Sequence, residues 1–355
     1  MFCEEVVGQP EALGLLQRAL ETGRIAHAYL FAGPDGVGKK TLALCLARAL
    51  NCLDLDNKPG SFAPCGRCLS CRKIACGNHP DVKVVSPDGV SVRIDQIREI
   101  KKEMSYRPYE GRYRVWILED CDKMTEQAAN STLKVLEEPQ ERSVFILLTS
   151  NVLSLLPTIV SRCQVVRFNP VGAAVISGLL RERYAIPAEK ARLLAFLCHG
   201  SVGKAVGWAT GRIPMPPRDE VIALVGGFLS PLGPGSKPGA ILRAAEALEK
   251  RKDDLDEILD LLEDWYRDLM IVCEAAHHHE TGHGATHERE ADELSKALVV
   301  NLDKLETLEE QARVCSTERA AKSIGVIEAT RQSIRRNANV RLALENMLFT
   351  LFPGV

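Results

Sequence analysis

The run Gly33-Pro34-Asp35-Gly36-Val37-Gly38-Lys39-Lys40-Thr41 constrains this chain more than any other. Gly, four residues, Gly and Lys is the spacing of a phosphate-binding loop. Its glycines let backbone N–H groups converge on phosphate oxygens, the Lys reaches the β- and γ-oxygens, and a hydroxyl residue next in sequence holds Mg²⁺. Such a loop needs a buried strand before it and a helix after it. Ala28-Tyr29-Leu30-Phe31-Ala32 supplies the first and the apolar stretch Thr41 to Leu50 the second. One position departs from the pattern: Lys40 stands where the hydroxyl belongs, with Thr41 after it. Successive helix residues point about 100° apart, so Thr41 does not simply replace the missing hydroxyl.

A second run, Arg114-Val115-Trp116-Ile117-Leu118-Glu119-Asp120, reads as a central strand that delivers two carboxylates to the same site. The usual order in hydrolysing relatives of such loops is Asp then Glu; here it is reversed. Together with Lys40, this is a second change in one Mg²⁺-dependent apparatus, and weak or absent hydrolysis is the expectation. Thr125 to Glu138 reads as a helix closed by Pro139, and Val144 to Asn151 as another buried strand. Thr149, near the carboxyl end of that strand, stands where a γ-phosphate could be sensed. Gly33, Gly36, Gly38, Lys39, Lys40, Thr41, Glu119, Asp120 and Thr149 thus form a degenerate nucleotide cradle in which ATP with Mg²⁺ is the candidate ligand.

The chain has 355 residues, enough for two or three domains, and a formal charge of −2 that gives no global sign of a nucleic-acid binder. Arg98, Lys101, Lys102 and Arg107 could meet a DNA backbone, but a solvated helix face explains them equally well. Met1 to Gln9 has no signal-peptide pattern, and no apolar run approaches a membrane span, so a cytoplasmic protein is expected. In a reducing compartment, twelve cysteines argue for metal or buried thiols rather than disulfides. Cys52, Cys65, Cys68 and Cys71 have the spacing C-x12-C-x2-C-x2-C, with Pro64, Gly66 and Ser70 as turn formers. Four thiolates suit tetrahedral Zn²⁺ in a closed structural site; an iron–sulfur cluster is the alternative, though nothing else here suggests redox chemistry. Cys76 and His79 lie close enough in sequence to compete as ligands. The scattered Cys3, Cys45, Cys121, Cys163, Cys198, Cys273 and Cys315 read as small buried hydrophobes. His279-Glu280-Thr281-Gly282-His283 satisfies H-E-x-x-H, but Gly282 and Gly284 interrupt a helix there, and His277 to His287 reads as a polar loop rather than a protease site.

Leu156-Pro157-Thr158-Ile159-Val160-Ser161-Arg162-Cys163 resembles the Ser-Arg-Cys motif of the clamp-loader family of AAA+ proteins, which place an arginine finger there. Val7-Gly8-Gln9, His27 to Phe31, the four-cysteine insert and Leu136-Glu137-Glu138-Pro139 occur in the same order in bacterial members, so the resemblance spans nearly the whole chain. It implies a RecA-like α/β domain over 1–168 that carries the four-cysteine zinc module at 52–79. A small helical lid over 169–212 and an all-α collar for oligomerisation over 213–355 would follow. Gly200-Ser201-Val202-Gly203-Lys204-Ala205 resembles the family's second sensor, with Lys204 where Arg is commoner. Ile213 to Pro217 and Ser230 to Gly239 read as linker and loop, and Ile258 to Cys273 and Leu308 to Ile334 as helical. The implied partners are tau/gamma and delta subunits in a hetero-oligomeric ring, the sliding clamp and primed DNA, with a replisome location and no polymerase site in this chain. Within that family the altered loop implies a non-hydrolysing subunit in which Arg162 serves a neighbour's ATP. The alternatives are a working tau/gamma-like ATPase and a stand-alone AAA+ or zinc module.

Overall fold

Three apolar stretches of the N-terminal half are buried on both faces, and they form the centre of a wholly parallel sheet. The computed structural model describes residue 3 and residues 5–54, 63–104, 106–229, 238–280 and 298–352. The chain forms two compact units, 1–209 and 210–355.

In the first unit, strands β1 (Ala28–Ala32), β2 (Val82–Val85), β3 (Arg114–Leu118), β4 (Ser143–Thr149) and β5 (Gln164–Arg167) lie in the order β2-β3-β4-β1-β5. Every pairing is parallel, with Ala28 opposite Phe145 and Ala32 opposite Thr149. Alternate side chains serve opposite faces, as the strand period of two requires. Tyr29, Phe31, Val115, Ile117, Val144 and Ile146 join one core with Leu16, Leu42 and Leu46 of α1 (Pro10–Thr22) and α2 (Lys39–Asn51). Leu30, Trp116, Leu118, Phe145 and Leu147 join the other with Ile97 and Ile100 of α4 (Ile94–Met104) and Ala128 and Leu136 of α5 (Glu126–Glu137). Trp116 stacks on Phe145 with ring centroids 5.0 Å apart. Covering both faces is what turns these strands into near-continuous apolar runs. Thr125 caps α5 by accepting from the Ala128 N–H.

A buried acid organises the edge of this sheet. Asp81, fully buried, accepts from the backbone N–H groups of Tyr109, Glu110 and Gly111 at 2.7, 2.8 and 2.8 Å and from Arg114 Nη2 at 3.1 Å. Arg114 in turn donates to the carbonyls of Glu103, Tyr106 and Arg107, so one ion pair pins the connection between α4 and β3. Burial pushes the Asp81 carboxyl up, but the three N–H groups and Arg114 outweigh it and hold its pKa below the ordinary value of 3.8. Its contribution to stability is therefore complete above the ordinary carboxylate value and is lost as pH falls through the lower folded-state value. Asp81→Ala is expected to cost about 3–5 kcal/mol of unfolding free energy at neutral pH, because it strands a buried guanidinium. Urea titration measures this, and the deficit should shrink as the solution is acidified.

Beyond β5, α7 (Ala173–Tyr184), α8 (Ala188–Leu197) and α9 (Val202–Ala209) pack on one another within the same unit. Gln9 fastens this segment to the start of the chain: its Nε2 donates to the Asn169 carbonyl at 2.7 Å and its Oε1 accepts from the Asn169 N–H at 3.1 Å. The Val7-Gly8-Gln9 signature is thus a backbone clasp.

The second unit is helical among its described residues: α10 (Arg218–Leu229), α11 (Pro238–Glu249), α12 (Leu255–Glu280), and the helices Leu305–Ala312, Thr317–Arg335 and Val340–Leu351. Asp268 of α12, fully buried, accepts from the N–H groups of Val300 and Asn301. Arg331 lies among Asp260, Glu263 and Glu328. Two sequence expectations are corrected here. Leu308 to Ile334 is helical except at residues 313–316, where the chain turns and Ser316 caps the next helix by accepting from the Arg319 N–H at 3.2 Å. The segment 277–280 is helical, continuing α12, rather than loop, while Thr281 to His287 and Ser230 to Lys237 lie outside the described residues.

Candidate functional site

The carboxyl ends of β1, β3 and β4 lie side by side because those strands are adjacent and parallel, and each delivers one part of a nucleotide-type site. After β1 the chain runs into the loop 33–38. The Gly33 N–H donates to the Thr149 carbonyl at 3.2 Å, and a Cβ at Gly33 would sit 2.3 Å from the Phe168 carbonyl oxygen. At Gly36 the backbone has φ +74° and a Cβ would meet Ser201 Oγ at 2.1 Å; the Gly36 carbonyl accepts from the Gly203 N–H at 2.8 Å. Glycine is required at both positions, and the tip of the loop is closed against the start of α9.

Lys39 and Lys40 begin α2 and diverge. Lys39, 8% exposed, turns back into the loop, where its Nζ donates to the Gly33 carbonyl, to the Pro34 carbonyl at 2.9 Å and to Asp35 Oδ1 at 3.2 Å. Lys40 crosses to the end of β3 and pairs with Glu119 Oε1 at 2.9 Å. Glu119 Oε2 accepts from Ser86 Oγ at 2.6 Å. Asp120, in left-handed backbone at φ 47°, faces Lys123 at 2.9 Å. Thr149 is buried, its hydroxyl donating to Asp122 Oδ1 at 2.7 Å and accepting from the Asn151 N–H at 3.0 Å. Lys204 is half-buried on α9, its N–H donating to Ser201 Oγ at 3.3 Å. Thr41 follows in α2, half-buried. The structure brings Lys40 to Glu119, and links the loop tip to the Ser201–Gly203 segment. Sequence reading missed both the Lys40–Glu119 pair and the Asp122–Thr149 bond; the only local signal for the second was an acid following the Glu119-Asp120 pair.

Arg162 lies elsewhere on the unit, after the short helix α6 (Pro157–Val160). Its Nη1 donates to the Thr158 carbonyl at 3.0 Å and its Nη2 pairs with Glu137 Oε1 of α5 at 2.8 Å, with 36% of the side chain exposed. Ser161 Oγ donates to the Thr158 carbonyl at 3.1 Å, and Cys163 packs into the core beneath, where burial pushes its thiol up to about 12. The guanidinium is therefore presented at the surface on a rigid turn.

The four cysteines of the insert converge. Cys52 ends α2, Cys68 caps α3 (Leu69–Ala75), and the sulfurs of Cys52, Cys65, Cys68 and Cys71 all lie within 4.8 Å of one another. A tetrahedral ion with metal–sulfur bonds of about 2.3 Å needs sulfurs about 3.8 Å apart, so this all-sulfur set can hold a metal ion. The N–H groups of Cys65, Cys68 and Cys71 donate to the sulfurs of Cys52, Cys65 and Cys68 at 3.4, 3.2 and 3.4 Å. Burial raises the Cys68 thiol, but N–H bonds donated to its sulfur outweigh it and bring it down to about 7, whereas burial holds the Cys52 and Cys71 thiols above their ordinary value. The other nearby candidates stand apart: Cys76 is exposed, and His79 is buried with Nδ1 accepting from the Asp81 N–H at 3.1 Å and Nε2 3.2 Å from Ser70 Oγ. Of the scattered cysteines, all but half-buried Cys163 are buried.

A parallel β2-β3-β4-β1-β5 sheet, a phosphate-loop spacing on β1, paired acids on β3 and helices on both faces define a RecA-like P-loop domain of the AAA+ type. Residues 8–172 match the family described as "DNA polymerase III, delta subunit". The chain is 40% identical over 198 residues to DNA polymerase III subunit delta' of Bacillus subtilis, covering 56% of this chain and 58% of that protein. It is 42% identical over 160 residues to subunit gamma/tau of Mycobacterium bovis, covering 44% of this chain and 27% of that protein. The chain thus spans less than two thirds of the length of these relatives. A solved gamma-subunit-related protein of Thermotoga maritima aligns over 96% of this chain and 98% of its own, at 22% identity and a TM-score of 0.39. Over its matched residues this chain is similar to subunits of DNA polymerase III, delta' and gamma/tau among them. No helix among the described residues is long and apolar enough to cross a membrane.

Proposed function

We propose that this chain acts as a non-hydrolysing subunit of a DNA polymerase III clamp loader, delta-prime in type, and that it supplies Arg162 in trans to ATP held by an adjacent tau/gamma subunit. The loader so assembled, with delta as a further partner, would place the sliding clamp on primed DNA. The carrying observation is the 2.9 Å contact between Lys40 and Glu119: an ammonium neutralises the strand acid nearest the loop, the place where a hydrolysing relative needs Mg²⁺. Lys39 supports the same reading, since its ammonium is bonded to the loop's own carbonyls and to Asp35. The half-exposed guanidinium of Arg162 is bonded to Thr158 and Glu137, outside the loop of its own chain, as a residue serving a neighbour would be. Zinc is proposed for the Cys52, Cys65, Cys68 and Cys71 cluster. It would supply structural cross-linking of the insert, while the cysteines' N–H···S bonds orient the sulfurs. The subunit's RecA-like domain, helical lid and collar would run over 1–168, 169–212 and 213–355.

Calorimetry with ATP in Mg²⁺ and then in EDTA, paired with a hydrolysis assay, tests the reading on the isolated chain. Hydrolysis should be absent, and any binding should be the same in both buffers. Lys40→Thr should free Glu119 and introduce a Mg²⁺-dependent gain in affinity of at least about tenfold, or about 1.4 kcal/mol. Turnover by the unaltered chain, abolished by Lys39→Ala, would instead establish a working ATPase. Failure to co-purify with tau/gamma and delta would favour a stand-alone module.

A further inference from the structure

The second unit contains a pair of cysteines that neither the nucleotide-type site nor the metal cluster uses. Cys273, on α12, and Cys315, in the turn before the helix Thr317–Arg335, come from segments 42 residues apart in sequence. Cys273 Sγ lies 3.3 Å from the Cys315 carbonyl oxygen and 3.9 Å from that of Ala312, so its thiol sits directly against the other cysteine's backbone. Both residues line one cavity of about 400 Å³ together with Val272, Ala276, Glu309 and Ala312. They are only 4% and 8% exposed, so the cavity is their route to solvent.

We propose that Cys273 and Cys315 form a thiol pair that a small hydroperoxide, entering through this cavity, oxidises to a disulfide, tying α12 to the turn at residues 313–316.

Cys315 is the attacking sulfur. The hydrogen bond from Cys273 lowers its pKa, and Arg319 adds to this against the effect of burial, giving about 7; Cys273 is pushed the opposite way, by its bond to Cys315 and by burial. The Cys315 sulfur attacks one peroxide oxygen and the O–O bond breaks. The departing hydroxide takes the thiol proton and leaves as water, and Cys315, oxidised by two electrons, becomes a sulfenic acid. The Cys273 sulfur then attacks the Cys315 sulfur. The S–O bond breaks, and the second hydroxide leaves as water with the Cys273 proton. Two thiols and one hydrogen peroxide give one disulfide and two waters. The cavity is too small to admit a protein oxidant, and this favours a small peroxide.

The test is peptide mapping of the full chain. The protein is treated with hydrogen peroxide, blocked with N-ethylmaleimide, digested and analysed by mass spectrometry. A linked Cys273–Cys315 peptide is expected, about 2 Da lighter than the two free peptides together and restored by phosphine reductant. Cys273→Ser should leave Cys315 as a sulfenic acid that dimedone traps, and Cys315→Ser should leave Cys273 alkylated and unoxidised. Recovery of both wild-type peptides as maleimide adducts, at peroxide doses that oxidise the exposed Cys76, would overturn the proposal. So would oxidation of Cys315 to the sulfinic acid without a link, because Cys273 would then not be in reach.

Discussion

Arg162→Ala is expected to lower ATP turnover at the adjoining tau/gamma site by about 10³–10⁵-fold, the range an arginine finger supplies to related nucleotide hydrolases. Under the proposed role in trans, the loss should be confined to the one site that Arg162 would serve. It should therefore be read by single-turnover hydrolysis in assemblies where the adjoining subunit carries the only intact phosphate loop. Assembly and folding should survive, because Arg162 is half-exposed and its pair with Glu137 is a surface contact worth about 0–1 kcal/mol. Arg162→Lys should recover little of the loss, since an ammonium keeps the charge but not the planar fork that meets two phosphate oxygens. Glu137→Ala is the control for position: it removes the guanidinium's resting partner but leaves the finger in place, and turnover should fall far less than with Arg162→Ala. Equal loss of assembly and turnover on Arg162→Ala would make the residue structural and sink the role in trans.

The other large effect belongs to the cysteine cluster. The protein as purified should hold one zinc per chain, and Cys71→Ala should abolish it. Apparent zinc binding in small structural sites runs to about 10–16 kcal/mol and is coupled to folding, so removing a ligand should unfold the insert rather than loosen it. Amide exchange locates the damage. Residues 65–76 should lose protection, including α3, whose Ile74 is buried in the core that α2 shares with the sheet. β1 and β4 should keep theirs, since most of their core neighbours lie on α1, α2, α4 and α5, with Ile74 the one contribution from α3. A strong chelator should reproduce the same exchange pattern in the unaltered chain. Unchanged exchange after complete loss of metal would remove the structural role proposed for zinc.

Much of this is legible without coordinates. Ala28–Ala32, Arg114–Leu118 and Ser143–Thr149 are apolar along nearly their whole length because both faces of each strand are covered, and such runs declare themselves locally. The phosphate loop and the four cysteines are visible because glycines and ligands recur at fixed short spacings. Where sequence and structure part, the local signal is weak or ambiguous. The turn at residues 313–316 contains neither Gly nor Pro, and apolar spacing continues across it; only Ser316, an effective cap, marks the new helix. His277 to Glu280 read as loop from their polarity, yet a helix as long as α12 carries polar residues at its end without breaking.

The succession of strands and helices, the identity of the loop and the departure at Lys40 all follow from the residues in chain order, because backbone preference and side-chain periodicity act over a few positions. What those residues meet is a property of the folded chain. Lys40 could have faced solvent; it neutralises Glu119 because β3 and the loop after β1 end at the same edge of a parallel sheet. Asp81 and Arg114 are 33 residues apart and become one buried knot only where β2 pairs with β3. Charge complementarity has no period and no fixed spacing along a chain, and it is expressed only after chain topology has brought the partners within a few ångströms.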